Sequence, residues 1–417
     1  MGLGKKISQD NARRCPQCAV ATCNTGCPLG VDIPGFIRLL REGDSQGALA
    51  IILQQNPFPA LCGRVCAAPC ETACIFHAEG NPITIRELER YAADHGAVKN
   101  VKRTVLAKTG RKVAVIGSGP GGLTAAYQLA LSGVEVTIFE ATAHPGGALR
   151  FLIPEFRLPQ QVVDDIITQV KHLGVQIQTN TLFGRTITLA EIFMRGFDAV
   201  VLSVGSSMPK FQNIVGSQLA GVYYHAEFLS RLQQATKLDV MHQANMLIKG
   251  ISTVIIGNDE TIFDSARISR RLGQTVTVCW TGNEEKLAAL SRIVSQAQEE
   301  GVMIKEGVAL VRLVADEEGY VKTVVLKDLI ENVDIELDSQ TVILANGQQP
   351  NNFIRQHLPQ LKFNDDGTIW VDKQTGMTSV EKVFACGSIV TGVSSMVESM
   401  SDAKHVAIDI KNYLERK

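Results

Sequence analysis

A cysteine-rich segment followed by two repeats of a strand-helix-strand pattern predicts an α/β protein, with two Rossmann-like units after an α-helical module. The chain has 417 residues, of which 45% are apolar and 20% charged, enough for two or three domains with large cores. A short basic stretch over 102–111 precedes a buried-strand pattern, which predicts a domain boundary near residue 108. We therefore expect a helical domain over 1–108, a discontinuous first Rossmann domain over 109–207 and 345–417, and a second Rossmann-like domain over 208–344.

Charge and hydropathy exclude some classes of partner. The formal net charge is -1, so the sequence predicts no basic field that would attract nucleic acid or an anionic membrane surface. No run approaches about 20 apolar residues, and the first residues lead into polar sequence rather than a secretory signal. We expect a soluble, cytoplasmic protein.

The spacing of apolar residues predicts the individual elements. In the first domain it predicts helices over 33–42, 45–55 and 85–95, with the cysteines on loops and helix ends. In the Rossmann-like units it predicts strands over 112–116, 135–139, 253–256 and 275–280, and helices from about 121 to 131, 160 to 173 and 260 to 272. The remaining predictions are short antiparallel strands between 308 and 337 and a closing helix over 395–414.

Eight of the ten cysteines lie between Cys15 and Cys74. Because the sequence predicts no export, metal ligation is favoured over disulfides. The first run places two, four and three residues between Cys15, Cys18, Cys23 and Cys27, and the second run, Cys62, Cys66, Cys70 and Cys74, has regular spacers of three. That regular spacing predicts helical turns with several cysteines on one side. Soft thiolates in closely spaced runs favour iron-sulfur clusters, while a zinc site and structural thiols stay open as alternatives.

A glycine-rich loop follows the first buried strand. Its residues, Gly117-Ser118-Gly119-Pro120-Gly121-Gly122, open a helix, and Glu140 ends the next strand. This context is typical of a dinucleotide site, in which the glycines and the helix N-terminus receive the pyrophosphate and the acidic residue receives a ribose hydroxyl.

The stretch 14–91, including Cys62-Gly-Arg-Val-Cys66 and Ile83-Thr-Ile-Arg-Glu-Leu-Glu-Arg90, resembles the N-terminal iron-sulfur domain of glutamate synthase small subunits and dihydropyrimidine dehydrogenases. The resemblance implies a glutathione-reductase-like pair of Rossmann domains preceded by a helical domain with two 4Fe-4S clusters. It also implies that the two cysteine runs interleave. One cluster would be held by Cys15, Cys18, Cys23 and Cys74, and the other by Cys27, Cys66, Cys70 and Glu89. Cys62 would be free, and the alternative for Glu89 is a solvated helical carboxylate.

The segments 144–149 and 153–159 resemble the stretch that follows the flavin in this family, which implies that the first nucleotide is FAD. The further cofactor contacts implied by the resemblance are Gly146, Gly147, Leu149, Arg157, Gly205, Gly347, Gly387 and Ser388. Two departures lie beside the flavin: Phe151 and Leu152 replace Tyr and Gly. Ser388 replaces an Asp that accepts hydrogen bonds from the ribityl chain.

The second Rossmann-like unit departs further from the family. Gly257-Asn-Asp-Glu260 replaces a run of glycines, and Cys279-Trp-Thr-Gly282 stands where NADPH-using relatives have arginines. The resemblance implies that Gly257 and Asp264, on the following helix, contact the nicotinamide nucleotide, while a plain surface residue stays open as the alternative for Asp264. We expect Asn258 and Asp259 to impede the pyrophosphate of NADPH or NADH.

The resemblance implies electron transfer from NAD(P)H through FAD and the clusters to a partner, either a glutamate synthase large subunit or a pyrimidine-reducing subunit. The cofactors carry this chemistry, so we assign no catalytic side chain beyond their ligands. The alternative is a non-enzymatic relay or scaffold subunit with a degenerate nicotinamide site. A thioredoxin-reductase-like activity is disfavoured because the second unit has no Cys-x-x-Cys.

Overall fold

The computed structural model describes residues 5–234, 247–288, 290–392 and 395–416. The chain forms two compact units. The first contains Met1–Leu149, Glu155–Ser206 and Asn352–Lys417, and the second contains Arg150–Pro154 and Ser207–Asn351. The helical cysteine-rich segment and the first Rossmann domain therefore share one unit.

The elements are named in chain order for the described residues. The helices are α1 (Lys5–Arg13), α2 (Thr22–Thr25), α3 (Ile33–Glu42), α4 (Ser45–Ile52), α5 (Pro59–Val65), α6 (Pro69–Thr72), α7 (Ile85–His95), α8 (Pro120–Leu131), α9 (Ala148–Phe151), α10 (Gln160–His172), α11 (Leu189–Met194), α12 (His225–Gln234), α13 (Thr261–Arg271), α14 (Glu284–Ala288), α15 (Ser291–Glu299), α16 (Phe353–His357), α17 (Ser388–Thr391) and α18 (Met396–Glu415). The strands are β1 (Lys112–Ile116), β2 (Glu135–Phe139), β3 (Gln176–Gln178), β4 (Ala199–Leu202), β5 (Met208–Pro209), β6 (Val222–Tyr224), β7 (Ser252–Gly257), β8 (Thr275–Trp280), β9 (Met303–Lys305), β10 (Val308–Ala315), β11 (Val321–Asp328), β12 (Asp334–Asp338), β13 (Thr341–Ala345), β14 (Gln348–Gln349) and β15 (Val383–Ala385).

Helix α3 illustrates how local sequence fixes the helical module. The Asp32 side chain accepts a hydrogen bond from the Gly35 amide at 3.1 Å and caps the N-terminus. Gly43, in the left-handed region at φ 84°, ends the helix. Ile33, Phe36, Ile37 and Leu40 form its buried face.

The second cysteine run is divided between two short helices, with Cys62 in α5 and Cys70 in α6. Cys66 has extended backbone after α5, and Ala68 lies in the left-handed region at φ 56°. Pro69 then starts α6. The break has a steric reason, because the proline ring disfavours the α conformation at the preceding residue. It turns Cys66 and Cys70 away from the straight row that a single helix would give.

In the first unit, the described strands form a parallel sheet in the order β15-β4-β1-β2-β3. The central strand β1 is buried after its first residue, as expected for a strand covered on both faces. Helix α8 follows β1, and α18 packs against α8. The glycine loop between β1 and α8 thus lies at the carboxyl edge of the sheet, where open α/β sheets bind ligands.

The described part of the second unit contains a similar parallel sheet in the order β6-β13-β7-β8-β9, with helix α13 after β7. An antiparallel sheet of β10, β11 and β12 occupies the region predicted to form short strands. The prediction of an α/β protein with two Rossmann-like units after a helical module is confirmed. Within the described residues, no helix is both long enough and apolar enough to cross a membrane.

Candidate functional site

Four cysteines line one cavity in the helical module. Cys15 and Cys18 of the first run meet Cys23 at the start of α2, and Cys74 of the second run closes the cavity. The remaining walls are mostly apolar, with Ile33, Ile37, Ile75, Ile83 and Ile85 among the lining residues. The cavity therefore offers soft sulfur ligands in surroundings that disfavour water.

Local contacts bring these distant cysteines together. The Thr22 hydroxyl donates a hydrogen bond to the Ala73 carbonyl at 2.5 Å, which fastens α2 to the segment before Cys74. Burial, together with the thiolates of Cys15 and Cys74, raises the pKa of Cys23 to about 11. Burial also raises the pKa of Cys15, and the thiolates of Cys18 and Cys74 add to the shift. A bound iron cluster would relieve this repulsion, because its iron cations bind the thiolates and offset their negative charges.

The second group contains Cys27, Cys66, Cys70 and Glu89. Burial raises the pKa of Cys66 to about 12, and the charges of Glu89 and Cys27 add to the shift. Burial likewise raises the pKa of Cys70, which also faces Glu89, Cys27 and Cys66. The structure thus brings Cys27 from the first run together with two cysteines of the second run, as the interleaved arrangement requires.

The Glu89 carboxyl group is held by a buried side chain. Asn56, 1% exposed, donates its Nδ2 to Glu89 Oε1 at 2.7 Å, and the Phe58 amide fixes Asn56 Oδ1 at 2.9 Å. Burial raises the pKa of Glu89 to about 7, which does not describe a solvated carboxylate. The approach of α5 to α7 depends on Gly63, because a Cβ there would lie 2.5 Å from the Cα of Arg90.

Cys62 differs from the other seven cysteines of the two runs. It lies within α5, is 2% exposed, and its Sγ is 3.9 Å from the Sδ of Met400 in α18. Within the described residues, no three His, Cys, Asp or Glu side chains are grouped closely enough to hold a single metal ion. The four thiols that line one cavity match the number of ligands of a 4Fe-4S cluster, in which each sulfur binds a different iron atom.

The glycine loop of the first unit forms a cradle that side chains would fill. A Cβ at Gly122 would lie 2.0 Å from the Gly117 carbonyl oxygen, so glycine is required for the close packing of α8 on the loop. A Cβ at Gly119 would meet nothing within 4 Å, which leaves open space above the loop. Helix α8 begins with Pro120 and has no side-chain cap, so its first amides face that space. These residues fit the pyrophosphate of FAD.

Glu140 is held in a dense hydrogen-bond network. Its Oε2 accepts from the amide and hydroxyl of Ser118, and its Oε1 accepts from the amide and hydroxyl of Thr142 at 2.8 Å. The Ser118 hydroxyl in turn accepts from the Gly146 amide at 2.9 Å. A ribose hydroxyl would therefore reach Glu140 only by replacing one of the two rotatable side-chain hydroxyls.

Further residues predicted to contact the flavin lie in the first unit, whereas the two departures beside it lie in the second. Gly146, Gly147 and the buried Leu149 follow the Glu140 network, and Gly147 approaches the loop so closely that a Cβ would lie 2.9 Å from the Gly119 Cα. The half-buried Arg157 lies further along the same unit. Phe151 and Leu152, the departures beside the predicted flavin, belong to the second unit.

A carboxylate that was not among the predicted site residues lies beside Gly387 and Ser388. Asp402 of α18 accepts a hydrogen bond from the Gly387 amide at 2.6 Å, next to Ser388. Burial raises the pKa of Asp402, and the charge of His405 opposes the shift. Ser388 lies near Gly205, since a Cβ at Gly205 would be 3.7 Å from the Ser388 hydroxyl oxygen. A carboxylate is thus present beside the position where the family's Asp is missing.

In the second unit, the side chain of Asp259, in the loop after β7, lies at the start of helix α13. The Asp259 carboxylate accepts from both the amide and the hydroxyl of Thr261, the amide bond being 2.9 Å long. The next two amides of α13 bond to the backbone carbonyls of Asp259 and Glu260. Gly257 is explained by packing, because a Cβ there would lie 2.3 Å from the Ala345 carbonyl oxygen. An anion therefore already caps the helix end that would receive a pyrophosphate.

The remaining predicted residues of this unit lie apart from that cap. Asp264 is buried on α13, and its charge acts on His225, which shares a 2.7 Å hydrogen bond with the Ser265 hydroxyl. Gly347 lies in the left-handed region at φ 85° after β13. Sequence reasoning missed Asn56 and Asp402, because neither belongs to a cysteine or glycine motif.

Two family models match the chain. Residues 2–101 match the dihydropyrimidine dehydrogenase domain II, 4Fe-4S cluster family, and residues 111–403 match the pyridine nucleotide-disulphide oxidoreductase family. The chain belongs to the pyridine nucleotide-disulphide oxidoreductases. It is an iron-sulfur flavoprotein oxidoreductase of that family, so the predicted family membership and class of electron-transfer enzyme are confirmed.

Similar proteins include subunits of larger enzymes. The glutamate synthase [NADPH] small chain of Azospirillum brasilense is 30% identical over 98% of this chain and 90% of its own length. The NAD-dependent dihydropyrimidine dehydrogenase subunit PreT of Escherichia coli K12 is 32% identical over 97% of this chain and 93% of its own length. The NADP(+)-dependent formate dehydrogenase subunit beta of Moorella thermoacetica is 31% identical, and the chain spans 60% of it.

Solved structures share the fold. The structure of FprA from Mycobacterium tuberculosis superimposes on 73% of this chain, with a TM-score of 0.58 and 16% sequence identity. The match covers 85% of the FprA chain. The structure of 2-naphthoyl-CoA reductase superimposes on 92% of this chain, with a TM-score of 0.56 and 17% sequence identity. The match covers 49% of the reductase chain. These likenesses support the two-Rossmann architecture alone.

Proposed function

We propose that this chain is the electron-input subunit of a larger enzyme, taking electrons from NAD(P)H and delivering them through FAD and two 4Fe-4S clusters to a separate catalytic subunit. One observation carries the proposal: the two cysteine runs interleave into two groups, and the second group adjoins the helix that also carries Asp402 of the FAD cradle. A protein with one cluster would need only one such group.

The chain's residues have distinct tasks in this scheme. Cys15, Cys18, Cys23 and Cys74 would hold one cluster, and Cys27, Cys66, Cys70 and Glu89 the other. Asn56 orients Glu89, and the isoleucines around the first cavity exclude water. When bound, FAD accepts electron pairs and the clusters accept single electrons, so together they convert hydride transfer into one-electron transfer.

The FAD would bind in the first unit. The glycine loop 117–122 leaves space for the pyrophosphate, and the amides at the start of α8 offset its charge. Ser118 and Thr142 orient Glu140 toward the adenosine side of the cradle. Asp402 holds the Gly387 amide and keeps a carboxylate beside Ser388, on the side where the ribityl chain would lie.

The test begins with anaerobically purified protein. We expect about eight iron atoms and one FAD per chain. Bleaching of the flavin absorbance by NADPH or NADH, followed by electron paramagnetic resonance signals from two reduced clusters, would support the proposal. About four iron atoms per chain, or no flavin after incubation with FAD, would refute it.

The acceptor is proposed from the names of the relatives. Glutamate synthase small chains, a dihydropyrimidine dehydrogenase subunit and a formate dehydrogenase subunit are each part of a larger assembly by name. A glutamate synthase large-subunit-like or pyrimidine-reducing partner is therefore proposed. Co-purification with such a subunit, with loss of partner reduction when Cys23 is replaced by Ser, would support this assignment. Reductive amination of 2-oxoglutarate with nitrogen from glutamine, or reduction of a pyrimidine, by the isolated chain would refute the need for a partner.

A second candidate is a relay subunit that does not use nicotinamide. The Asp259 cap favours it, because a carboxylate already occupies the start of α13 and would repel a pyrophosphate. Cofactor bands that dithionite bleaches but neither NADPH nor NADH bleaches would support the relay. Rapid bleaching by either nicotinamide would exclude it.

A further inference from the structure

One turn of α18 lies against Cys62 and against the residues that follow Cys27. Met400 contacts Cys62 through their sulfur atoms, 3.9 Å apart. The Ser401 hydroxyl donates to the Pro28 carbonyl at 2.7 Å, directly after Cys27. The same turn carries Asp402, which bonds to Gly387. Gly387 adjoins the glycine loop of the FAD cradle, since a Cβ at Gly121 would lie 3.7 Å from the Gly387 Cα. This turn, 400–404, is therefore shared by the FAD cradle and the cysteine loop.

Lys404 adds a positive charge at this place. Its ammonium donates to the Leu29 carbonyl at 3.3 Å and to the Gln55 side-chain oxygen. Both acceptors are neutral, so these contacts orient the charge without cancelling it. The side chain is partly buried, and a charge in such a place is screened less than one in open solvent. Leu29 is two residues from Cys27. Burial lowers the pKa of Lys404, and the charge of Cys27 opposes that shift.

We propose that Lys404 raises the reduction potential of the cluster held by Cys27, Cys66, Cys70 and Glu89. The inference rests on the proposed function. A fixed cation stabilises the extra negative charge that a cluster gains on reduction, and the potentials of iron-sulfur clusters depend on local charge and exposure. Lys404 would thereby favour electron flow from the FAD side of α18 into this cluster.

The test is an equilibrium redox titration of the anaerobic holoprotein, followed by electron paramagnetic resonance. Each cluster takes up one electron from mediated dithionite, and Lys404 neither makes a bond nor exchanges a proton. The variant Lys404→Gln removes the charge but keeps an amide donor for Leu29. Lys404→Arg keeps the charge. Lys411→Gln is the matched control, since Lys411 lies on the same helix and pairs with Glu415 at 3.7 Å.

The signal of the second group is identified first with Glu89→Cys, which changes the ligands of that cluster alone. We expect Lys404→Gln to lower the equilibrium constant for its one-electron reduction about tenfold, or about 59 mV, and to leave the other cluster unchanged. Lys404→Arg and Lys411→Gln should stay within about twofold of the unchanged chain. A merely structural lysine would alter thermal stability without moving one potential selectively.

Several results would overturn the proposal. These are an unchanged potential in Lys404→Gln, an equal shift of both clusters, or an equal shift in Lys411→Gln. If Lys404→Gln does not load iron, Lys404→Met serves as the neutral variant. Loss of iron in both, with normal loading in Lys404→Arg, would assign the charge to cluster assembly and also overturn the proposal. About four iron atoms in the unchanged chain would instead refute the proposed two-cluster function itself.

Discussion

Replacing Asp259 with Gly should create or strengthen nicotinamide binding. The Asp259 carboxylate caps α13 through the Thr261 amide at 2.9 Å and also accepts from the Thr261 hydroxyl. The glycine would free that amide and remove a negative charge from the place where a pyrophosphate would bind.

The magnitude follows from two opposing effects. A carboxylate and a phosphate charge about 5 Å apart repel by roughly 3 kcal/mol at an effective dielectric constant of about 20, and less when screened. Relief of about 1–3 kcal/mol corresponds to roughly 5- to 150-fold tighter binding. Loss of the helix cap costs about 0.5–2 kcal/mol of unfolding free energy, so the variant should also melt at a lower temperature.

The assay is an anaerobic titration of the holoprotein with NADH and separately with NADPH, monitored by flavin absorbance. Asp316→Gly is the matched control, because Asp316 caps a turn by accepting from the Glu318 and Tyr320 amides but lies between β10 and β11. If Asp259→Gly loses stability as the control does and gains no affinity for either nucleotide, the carboxylate is not the obstacle. Tight binding by the unchanged chain would remove the premise altogether.

Three further predictions test the cluster and flavin sites. Cys23→Ser should lose about four of about eight iron atoms per chain, whereas Cys62→Ser should keep them all by iron analysis; equal loss in both would contradict the assigned ligands. Gly122→Ala should lower the free energy of unfolding by about 1–3 kcal/mol or more, because its Cβ would clash with the loop. Gly119→Ala should keep the melting temperature but bind FAD more weakly in a fluorescence titration. The reverse pattern would contradict the proposed position of FAD at this loop. Burial raises the pKa of Asp402, so ionisation of this carboxyl group lowers the stability of the protein as the pH rises above the ordinary carboxyl range. Without FAD, Asp402→Asn should therefore melt at a higher temperature than the unchanged chain at pH 7 but not near pH 3. An equal difference in melting temperature at both pH values would refute this.

Many elements follow directly from local sequence. Apolar spacing gave the observed bounds of α3, α7, β1, β2 and β8. Other bounds were less well predicted: α4 ends at Ile52 rather than at residue 55. In the second cysteine run, the spacing predicted helical turns but not where one helix ends and the next begins. There Pro69 restricts the residue before it, and the chain breaks between α5 and α6.

The α/β architecture, the position of the glycine loop and the number of thiol ligands could be predicted from local sequence, because hydrophobic period, glycine spacing and residue chemistry are local properties. The residues that surround these features could be identified only from the folded chain. Asn56 reaches Glu89 across 33 residues, and Lys404 reaches Leu29 across 375. Such contacts depend on how α18 and the helical module pack in one unit, and no local pattern encodes them.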